Sequence, residues 1–150
     1  MKAKGTYSLT KNIFLFVFAS ILVTSISSCA TKTHFLNSSI VPGAQGTVKV
    51  KKDKNHNYGI AVTIANLAEP SKLNPPRNVY VVWMEGDRNE TKNIGQIKTS
   101  SALLSKQMKS SFETVSPIKP KKIFITAETD GSVQYPNQSD IVLTTDYLKR

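Results

Sequence analysis

Apolar positions fall along this chain in two different patterns. Residues 13–26 (IFLFVFASILVTSI) form one unbroken apolar run, relieved only by small and hydroxyl side chains. From residue 46 onward the apolar positions instead alternate with polar ones. Val48 and Val50 alternate with Thr47, Lys49 and Lys51; after the turn-forming 53–57 (DKNHN), Tyr58, Ile60, Val62 and Ile64 share one face. A period of two sends successive side chains to opposite faces of a strand. Residues 46–52 and 58–66 are therefore predicted to form a β-hairpin. Its second strand carries only Gly59, Ala61, Thr63 and Ala65 on the other face, so that face is either closely packed or open to water.

The rest of the chain continues in the same way. Residues 67–78 (LAEPSKLNPPRN) hold Pro70, Pro75 and Pro76, which deny the segment both a ladder strand and a helix interior, leaving an irregular crossing. Residues 79–84 (VYVVWM) are apolar on both faces and predict a central strand covered from both sides. A turn at 86–90 leads to a strand at 91–98, with Gly95 as a candidate bulge. Residues 99–105 fit either a half-turn or a short edge strand. Strands at 109–115, with Phe112 as core contact, and at 122–128 are separated by Pro117 and Pro120. The Asp130-Gly131 pair marks a turn at 129–132, and 141–145 is the last strand. About seven strands, with no sustained helical period, predict an all-β fold: an antiparallel immunoglobulin-like sandwich spanning 45–150. Trp83 is expected as its largest core residue.

The apolar run at 13–26 has a different meaning. Before it stand Lys2, Lys4 and Lys11 with no acid, and after it Ser27, Ser28 and Cys29. A basic region, a short apolar stretch and small residues before a cleavage point are the layout of an export signal. The run is short of the roughly 20 apolar residues that span a bilayer. Ile26-Ser27-Ser28-Cys29 resembles the lipobox of bacterial lipoproteins, with Ile26 where that family more often has leucine. The resemblance covers residues 1–29 and implies diacylglycerol on the Cys29 thiol, cleavage before it, and acylation (palmitate) of the new amine. Cys29 is the only cysteine, so the exported domain has no internal disulfide and folds on packing alone. The organisation expected is a signal peptide at 1–28, a lipidated N-terminus and flexible tether at 29–44, and the sandwich at 45–150. Phe35, Leu36, Ile40 and Val41 are apolar enough for part of that tether to dock on the domain. In lipoproteins, retention at the inner membrane usually goes with Asp after the cysteine; Ala30 stands there, so the outer membrane is favoured.

Charge adds a direction for partners. The net charge of the chain is +10. The leader takes three of the twenty basic residues and none of the ten acids, which leaves +7 on the mature part. A basic surface favours phospholipid head groups, lipopolysaccharide phosphates, acidic glycans or nucleic acid, although basic residues this scattered are first expected simply to aid solubility. No specific nucleic-acid partner is expected, since Tyr58, Tyr80, Trp83 and Phe124 sit in strand patterns rather than in an exposed stacking row.

Sites of chemistry are sparse. His34 and His56 are the only histidines, one in the tether and one in a turn beside Asp53, and a solvated turn is expected there in preference to an adventitious metal site. Glu85, Asp87 and Glu90 come nearest to a calcium loop, but Arg88 and Lys92 lie among them, so they read as turn charges. No phosphate loop or dinucleotide fingerprint occurs. No cofactor and no catalytic residues are expected, and the protein is not expected to be an enzyme. The expected function is a lipid-anchored, non-catalytic binding module that contacts an envelope protein or glycan through 67–78, 86–90 and 129–139. The alternatives are a structural envelope component or a hydrolase working through paired carboxylates.

A second resemblance covers 79–144. Residues 79–84 (VYVVWM), 93–97 (NIGQI), 125–132 (ITAETDGS), Pro136 and 141–143 (IVL) resemble the extracytoplasmic β-sandwich of anti-sigma-K-type factors. The chain has neither the cytoplasmic sigma-binding segment with zinc ligands nor a spanning helix of that family. The resemblance thus implies the fold and not the regulatory function.

Overall fold

A computed structural model of the chain describes residues 30–99 and 109–148. Among these lie eight strands: β1 (Ala30–His34), β2 (Gln45–Lys52), β3 (Tyr58–Ala65), β4 (Val79–Gly86), β5 (Thr91–Ile97), β6 (Lys109–Ser116), β7 (Pro120–Glu128) and β8 (Ile141–Thr144). They form two four-stranded antiparallel sheets, in the orders β1-β2-β3-β6 and β5-β4-β7-β8. With β1 set aside, the crossings from β3 to β4 and from β5 to β6 give the immunoglobulin-like connectivity. The seven strands read from alternation are all present, with boundaries within two residues of those expected.

Each sheet turns its apolar side chains inward. Val48 from β2 and Ile60, Val62 and Ile64 from β3 meet Tyr80, Val82 and Met84 from β4 and Ile123, Ile125 and Ala127 from β7. β4 is buried on both faces, as its unbroken apolar run requires. Pro120 opens β7, a strand-start position where the missing N–H costs no ladder bond. Gly95 does mark a bulge. The register of β4 against β5 shifts between Val82 and Trp83, and Gly95 has φ 139°. A Cβ there would stand 2.6 Å from the Phe112 ring, so only glycine meets both the conformation and the space.

The segment expected as a tether differs from that expectation. Ala30–His34 pairs along its whole length with β2, from Ala30 opposite Lys51 to His34 opposite Thr47. Phe35 bridges to Thr145 on the other sheet, and Val41 and Ala44 join the core. Ser38 is buried, and its hydroxyl accepts from the Val41 N–H at 2.9 Å. The reason is composition. Thr31 and Thr33 are half-buried while Lys32 and His34 are exposed, so β1 is an edge strand whose covered side is threonine rather than aliphatic. Residues 30–44 therefore belong to the sandwich. Cys29 and the lipobox residues Ile26, Ser27 and Ser28 lie outside the described residues, as does nearly all of 99–105.

Connection lengths divide the molecule into two ends. The turns 53–57, 87–90 and 117–119 have three to five residues, and all lie at the end where β1 begins. The connections 35–44, 66–78, 98–108 and 129–140 have ten to thirteen and all leave the opposite end.

Candidate functional site

The outer face of the β5-β4-β7-β8 sheet carries the densest set of side-chain interactions. Because β4 is apolar on both sides, Val81 and Trp83 project away from the core and would meet water if nothing covered them. Trp83, expected as the largest core residue, is indeed the largest fully buried side chain, but its burial is on this outer face and not between the sheets. It belongs to a second cluster with Val81 and Phe124, and its ring stacks on Phe124 at 6.3 Å between centroids. The cover is the loop 129–140, which folds back over the sheet and packs Val133 on this cluster. Trp83 is fully buried beneath it.

A chain of hydrogen bonds runs through the covered layer. The Trp83 indole N–H donates to Thr126 Oγ1 at 2.8 Å, and the Thr126 hydroxyl donates to Glu128 Oε1 at 2.6 Å. The same oxygen accepts the Asn137 backbone N–H at 3.0 Å. Trp83, Thr126 and Glu128 are all buried, so each polar group needs its neighbour. Alternation explains the set: Phe124, Thr126 and Glu128 are the residues of β7 that point away from the core.

The loop is fastened at several points. Arg77 donates to Asp140 Oδ2 through Nε at 2.9 Å and through a terminal nitrogen at 2.5 Å, with both side chains less than one-fifth exposed. Asn137 donates to that same oxygen at 2.8 Å. Asn78 reaches the Thr129 carbonyl at 2.8 Å, and Asn93 donates to the carbonyls of Gly131 and Val133 at 2.9 and 3.1 Å. Within the loop, the Ser132 N–H and hydroxyl both donate to Asp130, which holds its carboxyl below the ordinary range. Tyr135 stands out from this fixed frame at 86% exposure. A polar groove of about 320 Å³ lies between Thr91, Lys92, Asn93 and residues 132–134 of the loop.

The expected contact segments 67–78 and 129–139 come together here, joined by Asn78–Thr129 and by Arg77 to the adjoining Asp140, while 86–90 lies at the other end of the sheet. In that turn Glu90 accepts the Arg88 N–H at 3.0 Å. His34 and His56 are exposed and apart; His56 belongs to a turn in which Asp53 accepts from the N–H groups of Asn55 and Asn57. Among the described residues no three His, Cys, Asp or Glu side chains are grouped to hold a metal, and no helix is long and apolar enough to cross a membrane. Sequence reasoning missed Arg77, Asn93, Asp140 and Tyr135. The Arg77–Asp140 pair is 63 residues apart, and no periodicity links such partners. Compared with protein-family models, curated proteins and solved structures, the chain gives no match.

Proposed function

We propose that this chain is a bacterial envelope lipoprotein, anchored through Cys29 and presenting the capped face of its sandwich as a non-catalytic binding surface for an envelope protein or glycan. One observation carries the reading: a loop tied down by Arg77, Asn78, Asn93 and Glu128 holds an almost fully exposed tyrosine. An aromatic on a fixed backbone binds with little ordering cost, which is how rigid loops make affinity from few residues. The anchor rests on the leader and lipobox, and Ala30 favours the outer membrane. The resemblance to anti-sigma-K-type sandwiches adds nothing on partner choice. Against a carboxylate hydrolase stands the use already made of the acids on this face. Glu128 accepts from Thr126 and Asn137, Asp140 pairs with Arg77, and no acid lines the polar groove.

Two experiments test this. Palmitate labelling of cells should mark the wild type and not Cys29→Ala; equal label in both would remove the anchor. In-cell crosslinking with mass spectrometry should return a specific envelope partner that Tyr135→Ala loses and Tyr147→Ala keeps, Tyr147 being 62% exposed near the chain's C-terminal end. Loss in neither variant would remove the binding surface.

A further inference from the structure

The opposite side of the sandwich is the outer face of the β1-β2-β3-β6 sheet, and no segment of the described chain covers it. Its floor is made of side chains too small to fill the pleat: Ala30, Gly59 and Ala61 line a shallow groove of about 460 Å³, flanked by Lys49 and Lys51. Val115 rises from the same face at 66% exposure. Lys32 stands directly opposite Lys49 in the β1–β2 register. Like charges placed opposite on one face of an antiparallel pair repel. Neither Lys32 nor Lys49 has an ion-pair partner among the described residues. The one acid on this face is Glu113, on β6 opposite Ala61; it lines the same groove as Lys49 and Lys51 and leaves lysine in excess there. A bare, basic sheet face with a small apolar centre is complementary to a surface of fixed negative charge.

If Cys29 is the lipidated residue, the place of Ala30 in the fold says which surface that is. Ala30 lies at the corner of this same face, paired with Lys51, and the residue before it is Cys29. With β1 in place of a tether, there is no length of chain to hold the domain away from its anchor. We propose that the outer face of the β1-β2-β3-β6 sheet docks on anionic phospholipid head groups beside the anchor, with Lys32, Lys49 and Lys51 against the phosphates. The proposal rests on the reading of Cys29 as the lipidated residue. Tethering at the corner raises the local concentration of the basic patch at the surface, where each lysine gains from anionic head groups. In this pose the capped face, with Tyr135, points away from the membrane.

The test is a lysine-acetylation footprint of the full chain, produced and processed in a bacterial host, then reconstituted into vesicles. One set contains phosphatidylglycerol with phosphatidylcholine, the other phosphatidylcholine alone. Lys32, Lys49 and Lys51 should react about threefold or more slowly on the anionic vesicles, and high salt should abolish the difference by shortening the screening length. Lys72, at the long-loop end with its side chain 70% exposed, should react equally on both. Equal rates at the three lysines on both vesicle types would overturn the proposal. Protection in intact envelopes but on neither vesicle type would also overturn it, in favour of a protein partner. An intact mass without lipid on Cys29 would remove the anchor separately, while salt-sensitive protection on anionic vesicles would still support the docking face.

Discussion

The two sheets of this sandwich share one core and differ on their outer faces. Both have four antiparallel strands, and both send branched aliphatic residues inward. On the β1-β2-β3-β6 sheet the outward positions of β3 are Gly59, Ala61, Thr63 and Ala65, which lose little by meeting water. On the other sheet they include Val81, Trp83 and Phe124, which lose much, so the chain supplies a twelve-residue loop to cover them. The difference begins in alternation. A strand with one small or polar face can stay bare, whereas a strand apolar on both faces obliges the fold to spend a loop on it. That loop then brings its own polar backbone into a dry layer. Thr126, Glu128, Arg77 and Asn93 answer for it.

Changes on the capped side should therefore cost far more than changes on the bare one. Trp83→Ala would leave a cavity under the loop and strip Thr126 of its indole partner; a loss of about 3–5 kcal/mol is expected in denaturant unfolding, against less than about 0.5 kcal/mol for Ala61→Ser. Next comes Gly95→Ala, which puts a Cβ against Phe112 at a backbone conformation reserved for glycine; about 1–3 kcal/mol should be lost by the same measurement. Similar costs for Ala61→Ser and Trp83→Ala would dissolve the contrast between the faces.

Tyr80 probes the core beneath both faces and sharpens the comparison through pH. Its hydroxyl donates to the Ala68 carbonyl at 2.9 Å, and burial pushes its phenol from 10.0 up to about 12. Since the folded value lies above the unfolded one, the associated stability is complete below pH 10.0 and is lost as pH rises through about 12. Tyr80→Phe should remove that dependence in a denaturation series across the window, and cost about 1 kcal/mol at neutral pH. The smallest effect has the opposite sign. Lys49→Glu on the bare face replaces a like-charge pair with an opposite-charge one, and unfolding should show a gain of about 0.2–1 kcal/mol. A loss of stability there would mean that the repulsion between Lys32 and Lys49 is already relieved.

How far the sequence disclosed these features depends on their range. Strand alternation is local, so seven strands and the doubly buried β4 were legible within two residues. β1 was not, because Thr31 and Thr33 make its covered side look like a polar linker. Trp83 was legible as buried but not as lying outside the inter-sheet core, since a both-faces-apolar strand does not say which face holds which neighbour until the register is fixed. The site was least legible. Asp140 and Arg77 are far apart in sequence, and Tyr135 resembles any loop aromatic until the loop around it is seen to be tied down.

The two proposals together send one outer face to the membrane and the other to a partner. The most direct measurement places a photo-crosslinking residue at position 135 or at position 61 in otherwise wild-type protein and irradiates intact cells. A discrete adduct with an envelope partner is expected from position 135, and lipid adducts from position 61. A discrete protein adduct from position 61 with none from position 135, or the same products from both, would contradict that assignment of the faces.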